Sequence, residues 1–110
     1  MVIAVDFDGT LCEHRFPDIG AIKNVHREVI KYLQKQKELG STIILWTCRE
    51  DLPVRKFLTE AVEFCKENNI PIDYVNEYPM QMHGYEGFAS RKVCADLYID
   101  DKAVNTDWFS

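Results

Sequence analysis

The chain has 110 residues, 46% of them hydrophobic and 28% charged, which is the composition of an ordinary globular protein with one domain. Its net charge of −5 argues against a nucleic-acid surface, although a local basic patch can still act alone. The longest apolar run, residues 1–5, is far shorter than the ~20 residues of a membrane span and has no charged segment before it. We therefore expect a cytoplasmic protein without a membrane segment or a signal peptide.

The four cysteines predict free thiols rather than disulfides or zinc ligands. Cys12, Cys48, Cys65 and Cys94 form no Cys-x-x-Cys pair, and no histidine lies at the spacing of a zinc site. Because no secretory signal is expected, we predict that these thiols stay reduced. Most of them should lie in the core or line a site.

Two carboxylates come directly after the first predicted strand. Residues 1–5 are apolar and rich in β-branched side chains, which is typical of a strand buried on both faces of a parallel sheet. The next residues include Asp6, Asp8 and Gly9. The residues at the end of a parallel strand lie at the carboxyl edge of the sheet, where α/β proteins bind ligands. Because neighbouring carboxylates repel each other, this pair predicts a metal ion, a proton or a cationic partner.

Helices and strands alternate along the rest of the chain. The pattern predicts, in order, a helix from Ile22 that stops at Gly40, a strand over 42–47, a helix that ends at 68–69, a strand over 72–75, an irregular stretch over 76–90, a turn or short helix over 91–94, and a strand over 95–99. We expect Val25 in the buried stripe of the first helix. The second helix should have Asp51 as its N-cap and Pro53 in its first turn.

This order of elements predicts a doubly wound, Rossmann-like α/β fold. Right-handed crossovers would give a parallel sheet with strand order 3-2-1-4. The first strand then lies between the second and the fourth. Asp6, Thr47 and Asp100 each lie at the end of one of these three strands. We therefore expect their side chains to converge on one crevice, at the point where the direction of winding reverses.

Four segments in this chain resemble the four motifs of the haloacid dehalogenase superfamily. They are the Asp6-x-Asp8-Gly9-Thr10-Leu11 segment, Thr47 after an apolar strand, Lys92, and the Asp100-Asp101 pair. The resemblance covers nearly the whole chain, in the order of the family. Residues 45–50 together with 98–101 look like a branch of small phosphatases that lack a cap domain. The resemblance thus implies a single hydrolase domain over 1–110 with an open active site.

The resemblance also implies a magnesium-dependent phosphatase that acts on a small phosphorylated metabolite. Asp6 would be the nucleophile that forms an aspartyl-phosphate, and Asp8 the general acid and base. Oxygen ligands suit Mg²⁺, and the implied metal-binding residues are Asp6, Asp8 through its backbone carbonyl, Asp100 and Asp101. The implied phosphate-binding residues are Phe7, Gly9, Thr47, Arg49 and Lys92. Arg49 has an alternative, which is an ion pair with Glu50 or Asp51.

Asp8 selects the reaction class within that superfamily. Dehalogenase members lack the second aspartate, since a halide needs no proton in order to leave. The Asp8 carboxyl therefore favours phosphoryl transfer over the cleavage of a carbon–halogen bond.

Other interpretations of the chain stay open. The phosphate could belong to a macromolecule, either a nucleic acid or a polysaccharide. The chain could also be a non-catalytic module that keeps a phospho-aspartate or binds a partner. A homo-oligomer would cover the open site and the edge of the sheet. For the histidines, His14, His26 and His83, we expect surface or packing roles.

Overall fold

The structure is a computed structural model that describes residues 1–77 and 95–100. The described residues form six elements: β1 (Val2–Val5), α1 (Asn24–Glu38), β2 (Thr42–Leu45), α2 (Phe57–Glu67), β3 (Tyr74–Val75) and β4 (Leu97–Ile99). All strand pairs are parallel and the order is β3-β2-β1-β4. The predicted α/β fold and strand order are confirmed. Residues 78–90 of the predicted irregular stretch over 76–90, and the predicted turn or short helix over 91–94, lie outside the described residues.

Strand β1 is an interior strand of the sheet. It pairs with β2, where Val5 is opposite Leu45, and with β4, where Val5 is opposite Ile99. All four of its residues are buried. A strand covered on both faces needs apolar side chains at every position rather than at alternate ones, which explains its sequence.

The two helices cover one face of the sheet. Their buried residues share one core with the odd-numbered residues of β1 and β2; this core includes Ile3, Val5, Ile43, Leu45, Val29, Leu33, Ala61 and Cys65. The opposite face has a smaller buried cluster of Val2, Ala4 and Ile44, with Trp46 and Tyr74 packed against it. Neither described helix is long and apolar enough to cross a membrane.

Helix α1 begins later than the sequence predicts. It starts at Asn24, and its buried stripe is His26, Val29, Ile30 and Leu33, which are the i, i+3, i+4 and i+7 positions of one face. Val25 lies one residue off this stripe and is 56% exposed, so its predicted burial is wrong. Gly40 comes after the C-cap residue with φ of 91°, in the left-handed region that the helix end requires, as predicted.

Helix α2 also begins later than expected, at Phe57, so the prediction of Asp51 as its N-cap is wrong. Residues 52–55 instead form a turn closed by the Leu52 N–H bond to the carbonyl of Arg55, and Pro53 lies in this turn. The Asp51 carboxylate still accepts the N–H of Thr59 at 2.9 Å. Hydrogen bonds from Thr59 lower the pKa of the Asp51 carboxyl. Although it lies outside the helix, Asp51 therefore stabilises the first turn of α2 through its bond to Thr59.

Candidate active site

The ends of the strands are aligned by hydrogen bonds that continue the ladder of the sheet. The N–H of Asp6 donates to the carbonyl of Ile99 at 2.9 Å, and that of Trp46 to Val5 at 2.8 Å. The N–H of Asn76 donates to Leu45 at 2.8 Å. These bonds bring the residues at the ends of all four strands to a common level at the carboxyl edge.

An open cleft of about 900 Å³ lies at this edge. Its described lining residues are Ala4, Asp6, Trp46, Thr47, Cys48, Glu50, Asn76, Tyr98, Ile99 and Asp100. The structure thus brings together Asp6, Thr47 and Asp100, which come from three neighbouring strands. Lys92 and Asp101, which the sequence also predicts in the site, lie outside the described residues.

Asp6 is oriented by the backbone of its own loop. One oxygen of its carboxylate, Oδ1, accepts the N–H of Phe7 at 2.8 Å. The Phe7 ring is fully buried and meets Phe64 edge-on, with ring centroids 5.7 Å apart. Gly9 has φ of 85°, and its N–H donates to the carbonyl of Cys12 at 2.9 Å. In this structure, therefore, the N–H groups of Phe7 and Gly9 hold the loop in shape.

Thr47 is held by two neighbours. Its N–H donates to the side-chain oxygen of Asn76 at 2.8 Å, and its hydroxyl oxygen accepts the N–H of Arg49 at 3.1 Å. Since a hydroxyl group can donate and accept at once, the Thr47 hydroxyl keeps a proton for an anion in the cleft. Asn76 has φ of 49°, a left-handed conformation that asparagine tolerates well.

Arg49 is buried and holds Asp8. Its Nε and one terminal nitrogen donate to the two Asp8 carboxylate oxygens at 2.9 and 2.8 Å, a bidentate pair. The Arg49 side chain is 1% exposed and that of Asp8 is 15% exposed. The structure therefore pairs Arg49 with Asp8 rather than with Glu50 or Asp51. Asp8 is not among the described residues that line the cleft.

Every N–H group of the Arg49 guanidinium has a partner. Besides the two bonds to Asp8, it donates to the backbone carbonyls of Pro17, Asp18 and Phe57 at 3.0–3.5 Å. Its central carbon lies 5.1 Å from the centroid of the Phe7 ring and 5.0 Å from that of Phe16. This arrangement ties the loop after β1 to the loop after β2. It leaves no Arg49 donor for a substrate phosphate unless the network rearranges.

The electrostatic character of the cleft is acidic. Asp6, Glu50 and Asp100 line it, and none of the described lining residues is Lys or Arg. The described residues contain no group of three or more His, Cys, Asp or Glu side chains that could hold a metal ion. The Asp6 and Asp100 carboxylates nonetheless fit Mg²⁺, which proteins usually bind through one or two carboxylates while the ion keeps several waters.

Sequence reasoning missed several residues of the cleft. The sequence contains one signal for Asn76. It lies directly after β3, and a residue in that position of a parallel sheet lies at the same edge as Asp6. Trp46 and Tyr98 look in the sequence like ordinary strand residues, and their place in the cleft depends on register. Of the two described histidines, His14 is exposed and His26 is buried in α1, as predicted for surface and packing roles.

Comparison with known proteins gives one clear relationship. No protein-family model matches the chain, and no curated protein matches it. A solved structure of a conserved protein from Bacteroides thetaiotaomicron superposes with a TM-score of 0.70 and is 43% identical in sequence. The match covers 94% of this chain and 78% of that one. At this identity and coverage, the chain belongs to the same family as that conserved Bacteroides protein.

Proposed function

We propose that the protein is a magnesium-dependent phosphatase of the haloacid dehalogenase type, which hydrolyses a small phosphate monoester. The observation that carries this proposal is the convergence of Asp6, Thr47 and Asp100 on one cleft. A carboxylate nucleophile, a hydroxyl donor and a carboxylate ligand are groups that such a reaction needs within reach of one phosphorus atom.

Asp6 attacks the phosphorus atom through a carboxylate oxygen, and the bond from phosphorus to the leaving oxygen breaks. The leaving oxygen takes a proton, which we assign to Asp8. Water then attacks the aspartyl-phosphate and gives its proton to Asp8, so that inorganic phosphate leaves and both aspartates are regenerated. The Thr47 hydroxyl donates to a phosphoryl oxygen throughout.

This proposal requires positive charge in the cleft, because the charged side chains among its described lining residues are all carboxylates. Mg²⁺ held by Asp6 and Asp100 would neutralise charge on the transferring group. Lys92 is the proposed second source of positive charge.

The test is the hydrolysis of phenyl phosphate by the full chain, with and without Mg²⁺. We expect turnover that requires the metal and that Asp6→Asn lowers by at least about 10³-fold, since the amide is not a nucleophile. Glu63→Gln is the matched control, because it makes the same chemical change on an exposed position of α2. A wild type that is inert with Mg²⁺, or an Asp6→Asn variant as active as wild type, refutes the proposal.

A second candidate arises from the position of Asp8. If Arg49 keeps both Asp8 oxygens during the reaction, the site has a nucleophile without that proton shuttle. The chain would then be a module that keeps its phospho-aspartate. In that case phenyl phosphate should release at most one equivalent of phenol, and intact-protein mass spectrometry should find one stable phosphoryl group that Asp6→Asn lacks.

A further inference from the structure

The side chain of Asn76 extends the ladder between β2 and β3 beyond the end of β3. The backbone N–H of Asn76 donates to the carbonyl of Leu45 at 2.8 Å. In a regular parallel ladder, the backbone carbonyl of the same residue would accept the N–H of Thr47, two residues further along the neighbouring strand. Here the side-chain oxygen of Asn76, Oδ1, accepts that N–H at 2.8 Å. A side chain thus takes the place of a backbone acceptor at the cleft.

Asparagine suits this position for two reasons. The φ of 49° at Asn76 lies in the left-handed region, which asparagine adopts more readily than most residues with a Cβ atom. Its side chain is also short and ends in a carbonyl, so it can imitate a backbone acceptor. Asn69 is left-handed too, with φ of 57°, but within the described part of the chain it makes hydrogen bonds through its backbone only. The bond to a cleft residue therefore distinguishes Asn76 from Asn69.

The position of the Thr47 backbone sets the direction of the Thr47 hydroxyl. The hydroxyl oxygen accepts the N–H of Arg49, two residues along the chain, at 3.1 Å. Threonine often bonds its own backbone in this way, and the bond limits the rotation of the side chain. The direction of the hydroxyl therefore follows the backbone of residues 47–49, and Asn76 holds the N–H at the start of that segment. A displacement of about 1 Å is enough to impair the bond of such a group to a substrate.

From these contacts we infer that Asn76 is a positioning residue, which acts through Thr47. It holds the Thr47 backbone in the place from which the hydroxyl donates to a phosphoryl oxygen. The inference rests on the proposed function, because it takes the phosphoryl group to lie in the cleft that Asp6, Thr47 and Asn76 line. Asn76 itself need not touch the substrate.

The test is a double-mutant cycle on the binding of an anion, which needs no turnover. The probe is inorganic phosphate, and its binding to the full chain in Mg²⁺ would be measured by calorimetry. Asn76→Gly removes the side-chain acceptor, and it should fold because glycine adopts the left-handed backbone without strain. We expect this variant to bind phosphate roughly tenfold more weakly than wild type, the scale of one impaired hydrogen bond to a charged group.

Thr47→Ala supplies the other side of the cycle, because it removes the hydroxyl but keeps the N–H that bonds to Asn76. In the Thr47→Ala background, Asn76→Gly should weaken phosphate binding no further, since the bond then positions no hydroxyl. A loss of the same size in both backgrounds overturns the inference. Asn76 would then act on the anion directly, or through the fold as a whole, rather than through Thr47.

Asn69→Gly is the matched control, because it makes the same substitution at a left-handed asparagine that is not among the described residues lining the cleft. It should leave the affinity for phosphate unchanged. A wild type that does not bind phosphate overturns the inference. An Asn76→Gly variant that binds phosphate as wild type does, and still hydrolyses phenyl phosphate, overturns it and leaves the phosphatase standing. The expected cycle without any hydrolysis of phenyl phosphate would support the positioning of Thr47 and refute the phosphatase.

Discussion

Arg49 and Asp8 form a bidentate ion pair in which the arginine side chain is almost fully buried. A buried guanidinium is acceptable only where each donor is satisfied, and here five bonds satisfy it. Two of those bonds go to the side chain that we propose as the proton shuttle. Asp8 must therefore give up at least one of them in order to reach a leaving group. The pair thus links the stability of the loops to the chemistry of the site.

We predict that Arg49→Met lowers the free energy of unfolding by about 3–5 kcal/mol, because it leaves the Asp8 carboxylate, which is only 15% exposed, without its partner. The double variant Arg49→Met/Asp8→Leu should lose much less than the sum of the two single variants. Urea unfolding monitored by circular dichroism gives the unfolding free energies of the wild type, the two single variants and the double variant. Additive losses would contradict a coupled pair.

Arg55 offers a matched control for this cycle. It also makes a bidentate pair, with Glu60, and lies over an aromatic ring, that of Phe57. Its side chain is 36% exposed, however, so water screens the pair. Arg55→Met should lower the free energy of unfolding far less than Arg49→Met does. The difference between the losses of unfolding free energy in the two variants measures how much burial strengthens an arginine–carboxylate pair.

At the level of the helix, a histidine side chain stabilises the first turn of α1. The Nδ1 atom of His26 accepts the N–H of the N-cap residue Lys23 at 2.9 Å, three residues back. Only an imidazole with an unprotonated Nδ1 can accept this bond. Burial lowers the pKa of His26, so the folded protein resists protonation there.

We predict that the stability of the protein falls as the pH is lowered below about 6.5, the ordinary pKa of histidine in an unfolded chain. Below that value the unfolded state binds a proton that the folded state excludes, so protonation favours unfolding. Unfolding midpoints in urea at pH 7.5 and 5.5 measure this loss. His26→Gln should reduce the loss, because glutamine at this position makes the same bond without titrating. His14→Gln, at an exposed position, should not.

The elements show which parts of the structure the sequence could predict. The strands and their order are consequences of apolar runs and crossover handedness, and so is the meeting of Asp6, Thr47 and Asp100. The predicted starts of both helices are wrong, because His26 and Asp51 stabilise the helices through side-chain bonds that hydrophobic spacing does not contain. The partner of Arg49 was also unpredictable, since its bond to Asp8 spans 41 residues and depends on how two loops pack.

Across the whole molecule, the cysteines separate into two environments. Cys12 and Cys65 are buried, and Cys48 is exposed in the cleft; all three are free. Burial raises the pKa of the Cys12 thiol to about 11 and that of Cys65 to about 12. The prediction of free thiols in the core or lining a site thus holds for these three, and Cys94 lies outside the described residues.

We predict that iodoacetamide at pH 8 modifies Cys48 of the native protein much faster than Cys12 or Cys65, since the thiolate is the reactive form and must also be accessible. Peptide mapping by mass spectrometry, with and without urea, gives the order of reaction. Cys12 or Cys65 reacting at the rate of Cys48 without urea would contradict the buried environments.

The interior position of β1 also has a dynamic consequence. The amide proton of Asp6 lies between two strands, bonded to the carbonyl of Ile99, at the end of a strand whose residues are all buried. Such an amide exchanges with solvent only when β4 separates from β1, whereas the amides of surface loops are exposed at little cost. We therefore expect the amide of the proposed nucleophile to exchange more slowly than the amides of the surface loops. Motions during a catalytic cycle would fall to the loops around Asp6.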